Sequence, residues 1–147
     1  EGMYGISWMV AAVALCLSAI AEAQDSAPLP KSLSGRWTAV VPGVATFNDT
    51  MSMTLDAPVQ PGPVTGRLTA RGVGCGADNE PLTGTWDGST LRVESKLYPN
   101  VNVQRMNAQC GSGRVTYTLT RKPGQSTFEG EGVRDGMTGA AQITLSP

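Results

Sequence analysis

"LTGTWDG", residues 82–88, has two echoes earlier in the chain, "LSGRWTA" at 33–39 and "VTGRLTA" at 64–70. Each phrase runs apolar, hydroxyl, Gly, any residue, large apolar, Thr or Asp, small. The glycines Gly35, Gly66 and Gly84 all fall inside stretches of strand-like alternation. A glycine there weakens the hydrogen-bonded ladder and marks a sharp bend or a close backbone approach. The residue two positions on, Trp37, Leu68 or Trp86, points to the same face as the glycine and fills the space left by the missing side chain. A small barrel needs such bends to coil its strands round a tight circumference, so the repeated phrase reads as a barrel-building device.

Period two dominates the surrounding sequence. Met51, Met53 and Leu55 alternate with polar residues, as do Leu91, Val93, Ser95 and Leu97, then Val115, Tyr117 and Leu119, then Ala141, Ile143 and Leu145. Strands with one wet and one buried face belong to antiparallel sheets. Turn chemistry separates them at Pro42-Gly43, Pro61-Gly62-Pro63, Asp87-Gly88, Pro123-Gly124 and Asp135-Gly136. Eight strands are expected near 35–41, 49–57, 64–72, 81–87, 90–97, 113–121, 126–134 and 138–145, with a short extra strand at Val101–Val103 in an irregular stretch. The fold class is therefore all-β, an antiparallel up-and-down barrel, preceded by an N-terminal apolar leader helix.

That leader is residues 3–23, "MYGISWMVAAVALCLSAIAEA". An apolar core from Ile6 to Ile20 and the A-x-A site Ala21-Glu22-Ala23 read as a secretory signal peptide cleaved before Gln24. Glu1 and Gly2 stand ahead of it as two extra residues. The alternative is an uncleaved membrane anchor, against which some 15 apolar residues fall short of the roughly 20 needed to span a bilayer. The expected organisation is thus a signal peptide over 1–23, a flexible arm over 24–34 and a β-barrel domain over 35–147. The localisation is secreted or periplasmic, with no membrane association after cleavage, and Arg over Lys by eight to three points to a bacterial source.

Export also bears on the cysteines. Of three, Cys16 leaves with the leader and Cys75 and Cys110 remain. In an oxidising compartment they are expected to pair. The bridge would close a loop of about 35 residues, worth roughly 4 kcal/mol in the chain-entropy model. The alternative is two buried free thiols.

Composition excludes several functions. The chain has no histidine, which removes the commonest general base and the commonest metal ligand. The expectation is no enzyme, no metal and no cofactor. Twelve acids, less Glu1 and Glu22, face eleven bases; a net charge of about +1 in the mature chain does not suit a nucleic-acid binder. Asn48-Asp49-Thr50 has the form of a glycosylation sequon and reads as a turn. The glycines around Cys75 and Cys110 precede neither a helix nor a Lys-Ser/Thr pair, so they are not phosphate loops.

At the level of families, "LSGRW" resembles the G-x-W opening of the calycin barrels. "VTGRLTARGVGCGADNEPLTGTWDG" is similar to the third and fourth strands of the avidin and streptavidin family, and "STFEGEG" with "GAAQITLSP" resembles the end of that barrel. The resemblance implies a secreted barrel that binds a small ligand. It departs from the family in two ways. The last strand has no Arg to cover the G-x-W Trp, and the positions that would hold biotin's polar head are Ala39, Leu68 and Ala70. Tight biotin binding is therefore not expected. The expected ligand-binding residues are Trp37, Leu68, Trp86, Tyr117 and Phe128, the alternating apolar set of five strands, lining an apolar cavity with Trp37 as its floor. Such a pocket suits a small apolar or amphipathic molecule. The alternative is a periplasmic protease inhibitor acting through residues 24–34, with the protease as partner. Homo-oligomerisation is left open.

Overall fold

The computed structural model describes residues 27–147 apart from 42, 44, 58, 59, 73, 74, 100–112, 137 and 138. The eight strands are β1 (Ser32–Val41), β2 (Ala45–Asp56), β3 (Gly62–Ala70), β4 (Cys75–Trp86), β5 (Thr90–Pro99), β6 (Gly113–Arg121), β7 (Phe128–Arg134) and β8 (Ala140–Ser146). Each pairs antiparallel with its neighbours in sequence, and β8 pairs with β1, which closes the barrel. The all-β up-and-down barrel expected from the sequence is the architecture found. The leader helix, Cys16, residues 24–26 of the arm and the strand at Val101–Val103 lie outside the described residues.

The repeated glycines mark where strands come closest. A Cβ added at Gly35 would run into the carbonyl oxygen of Thr144, at Gly66 into that of Thr54, and at Gly84 into that of Arg92. A fourth site, Gly130, meets the carbonyl oxygen of Thr118 in the same way. These four pinches sit on the β8–β1, β2–β3, β4–β5 and β6–β7 seams, which is every second seam round the barrel. Opposite each glycine stands a buried aliphatic residue: Leu145, Leu55, Val93 and Leu119. The residue two before each is buried as well: Leu33, Val64, Leu82 and Phe128. Four such corners supply the curvature that closure of a small barrel demands. "FEGEG" at 128–132 is therefore a fourth copy of the phrase in which Gly132 replaces the large residue, and the ring of Tyr117 on β6 occupies the space beside it.

Two expectations are corrected. Asn48-Asp49-Thr50 is not a turn but lies within β2, paired with Arg36, Trp37 and Thr38 of β1. Among the described residues no pair of cysteine sulfurs stands at the roughly 2 Å that a disulfide needs, so the expected Cys75–Cys110 bridge is withdrawn. Of that pair only the backbone of Cys75, at the start of β4 opposite Pro99, is among the described residues; Cys110 lies outside them.

The segment ahead of β1 is tied to the barrel. Leu29 is buried, Lys31 accepts a backbone hydrogen bond from Leu55, and Arg121 donates to the carbonyl of Ala27. From Ala27 onward the stretch expected as an arm thus crosses one end of the barrel, and β1 already begins at Ser32.

The β4–β5 hairpin matches its sequence signal. Asp87 Oδ1 accepts hydrogen bonds from the backbone N–H groups of Ser89 and Thr90, and Gly88 takes the left-handed conformation, at φ 105°, that the turn needs. The Thr90 and Ser89 donors stabilise the carboxylate and lower its pKa below the ordinary 3.8. A depressed folded pKa adds stability above the unfolded value that disappears as pH falls through the folded one. Asp87→Ala is accordingly expected to melt below wild type at neutral pH, with the gap narrowing as pH drops below about 4. Thermal melts from pH 7 to 2 check this, and a gap constant with pH contradicts it.

Candidate functional site

The two ends of the barrel differ in kind. At one end the inward side chains are large: Leu33, Leu55, Trp86, Leu91, Leu119 and Phe128 are all buried. The Trp86 and Phe128 rings pack with centroids 5.9 Å apart, tilted by 49°. The Arg121 guanidinium lies over both, 5.2 Å from the Trp86 ring and 5.9 Å from the Phe128 ring. Leu29 and the Ala27 carbonyl complete the cover. The last strand has no Arg, and the cover over the β4 Trp comes from Arg121 of β6. This end is sealed.

Toward the other end the inward rows carry Ala39, Ala70, Ala77 and Ala141 on four strands, with Phe47 of β2 paired to Ala39 and Leu97 of β5 packed against the core. Among the described residues, the exposed large apolar side chains are Val40, Tyr98 and Val133, each near the strand terminus at this end. A cleft of about 530 Å³ opens here, lined chiefly by Asp49, Thr69, Arg71, Asp78, Glu80 and Tyr98. That volume lies within the range of small-molecule sites.

A bulge in β4 builds the cleft. Opposite Leu68 to Ala70 of β3, β4 spends an extra residue between Glu80 and Ala77, and Asn79 is forced to φ 52°. The bulge is held by a bond from the Asn79 N–H to Thr69 Oγ1 (3.2 Å) and one from Arg67 to the Asn79 carbonyl (3.3 Å). On its other side, pairing with β5 breaks between Gly76 and Thr83. Pro81 has no N–H to give, and its carbonyl instead accepts from the buried Ser95 hydroxyl at 2.9 Å. Tyr98 reaches across the break to Glu80 at 3.5 Å.

The five residues expected to bind ligand all join one core. Leu68, Trp86, Tyr117 and Phe128 are buried in it, and Trp37 packs partly exposed against it. They divide between the ends. Trp86 and Phe128 form the seal, whereas Trp37 stands near the mouth, its Nε1 donating to the carbonyl of Arg71, a cleft residue, at 2.9 Å. None of the five lines the cleft itself. Asp49, Asp78 and Glu80 of the cleft have no signal in the local pattern, since Asn48-Asp49-Thr50 has the form of a turn and the run "GADNE" has no alternation. The usable signal was its density of strand-breaking residues directly before a strand, which is how a bulge reads. Among the described residues, no group of three acidic or cysteine side chains is placed to hold a metal ion.

No known protein family, curated protein or solved structure matches the chain. What stands is the architecture, a closed antiparallel eight-stranded barrel.

Proposed function

We propose that the protein is an exported, non-catalytic binding module whose barrel takes a small amphipathic molecule at its open end. The resemblance to avidins supports a ligand-binding barrel without the biotin head-group contacts. The observation that carries the reading is the contrast between the ends. One is sealed by Leu29, Arg121, Trp86 and Phe128, while the other has exposed Val40, Tyr98 and Val133 and a polar-walled cleft with Ala70 and Ala77 in its lining. Polar walls together with Ala70, Ala77 and the Tyr98 ring fit a molecule with an apolar body and a polar head.

The inhibitor alternative would have to act through residues ahead of Ala27, because from there on the segment is tied down at the sealed end. Native mass spectrometry of the protein recovered from its host's exported fraction tests the main reading. The expected result is a chain starting at Gln24 that carries a small adduct, lost on denaturation and diminished in Ala70→Phe, which places a ring in the lining of the cleft. A bare chain that no amphiphile stabilises, or one recovered bound to a protease, overturns it.

A further inference from the structure

Two inward rows of the barrel, on β2 and β4, are apolar until they near the open end, where each arrives at a carboxylate. On β2 the row runs Leu55, Met53, Met51, Asp49, with Asp49 opposite Trp37 of β1. On β4 it runs Trp86, Gly84, Leu82, Glu80, with Glu80 opposite Leu68 of β3. The residues next in from the acids, Met51 and Leu82, are buried. Packing has no use for an acid in such a row, and drawing a charge out of water with no opposite charge beside it is costly.

Both acids line the cleft, together with Asp78 beside the bulge at Asn79, and Arg71 is the single base among the lining residues. Because β3 lies between β2 and β4, Asp49 on one side and Asp78 and Glu80 on the other flank the β3 end at Ala70 and Arg71. None of the three acids is ion-paired among the described residues, where Arg114 pairs with Glu94 and Asp135, and Lys122 with Glu129. Their hydrogen bonds come from neutral donors, the Thr50 N–H to Asp49 at 2.7 Å and the Tyr98 phenol to Glu80 at 3.5 Å. Nor do they converge as the ligands of a metal ion do. They stand round a cleft of about 530 Å³ that has the buried Ala70 and Ala77 in its lining. Charge spread over the walls of a space that size suits an organic molecule rather than a metal ion.

We propose that the head group taken by this cleft is an organic cation, the ammonium of an amine or a quaternary amine, with its apolar body against Ala70 and Ala77. The cation supplies Asp49, Asp78 and Glu80 with the counter-charge that the chain does not. An anionic head would meet three carboxylates, and a neutral one would forgo the attraction. Arg71 competes with the ligand for the same acids, so it weakens the site rather than building it. The proposal rests on the open end being the ligand mouth and goes further by naming the charge of the head group.

The test measures octylammonium, octyltrimethylammonium, octanoate and 1-octanol by calorimetry at neutral pH, on wild type, Asp49→Asn, Asp78→Asn, Glu80→Gln and Arg71→Gln. Asn and Gln keep the oxygens to which Thr50 and Tyr98 donate, so the substitutions remove charge without removing those bonds. Both cations are expected to bind wild type about tenfold more tightly than octanoate, with 1-octanol between them. Each acid substitution should weaken the cations about two- to fivefold, the size of an exposed charge pair, and leave 1-octanol unchanged. Arg71→Gln should strengthen the cations by a similar factor, and the preference should shrink in about 0.5 M NaCl. If octanoate or 1-octanol binds as tightly as the cations, or if the acid substitutions weaken the cations no more than 1-octanol, the cationic head group is overturned and the mouth stands. Binding of none of the four overturns both.

Discussion

Gly84→Ala is expected to lose about 3–5 kcal/mol of stability, or about 10–20 °C in Tm for a domain of this size, whereas Gly62→Ala is expected to change stability by no more than about 0.5 kcal/mol. Both glycines lie in strands and neither takes a left-handed conformation. They differ in what a methyl group would meet. At Gly62 there is nothing within 4 Å, while at Gly84 the new carbon would run into the backbone carbonyl of Arg92, with the Val93 Cα 2.7 Å away. No side-chain rotation relieves a clash with backbone, so β4 and β5 must separate. That separation would spread, because the ladder between them is already interrupted from Gly76 to Thr83. Urea denaturation of the two variants decides the matter. Similar losses would mean that the corner at Gly84 is not a constraint on closure, and the same comparison can be made at Gly130 on the β6–β7 seam.

Those corners show how far the sequence can be read. Alternation over Met51–Leu55 or Val115–Leu119 is a local property, enforced by each strand having one buried face, and β6 falls where its pattern places it. Three of the four corner glycines announce themselves through the phrase around them. Gly130 does not, because its large residue is supplied by Tyr117 from the next strand, a substitution visible only after pairing. The early part of β4 escaped for the opposite reason. Gly76, Asp78, Asn79 and Pro81 each disfavour a strand locally, yet the bulge accommodates Asn79 and leaves Pro81 where the β5 ladder has already broken. The candidate site was the least legible element. It depends on which residues gather at which end, and Asp49, Arg71, Glu80 and Tyr98 are too far apart in sequence to suggest a shared cleft. Leu29 is similar: a single Leu between two prolines gives no local hint that it seals a barrel.

Trp86→Ala is expected to cost about 3–5 kcal/mol without disturbing ligand binding at the mouth when binding is measured well below the variant's Tm. Trp86 is 3% exposed and closes β4 at the sealed end. Its removal deletes the partner of Phe128 and part of the surface on which Arg121 lies. Arg121 in turn donates to the carbonyls of Ala27 and Gly88, at 2.7 and 3.4 Å, so loosening it frees the segment that carries Leu29. Trypsin should therefore cut the variant at Lys31 at temperatures where the wild type is protected, since Lys31 is held by its backbone bond to Leu55. Arg121→Ala should reproduce that early cleavage with a smaller loss of stability, because the aromatic pair survives and only the contact above it is removed. The pairing of the two variants separates a seal from a binding residue. A seal yields parallel losses of stability and protection at one end with unchanged affinity at the other. If Trp86→Ala instead kept its stability within about 1 kcal/mol of wild type and lost the ligand, the aromatic end would be the site, and the mouth lined by Asp49, Arg71 and Tyr98 would be a surface feature of the bulge.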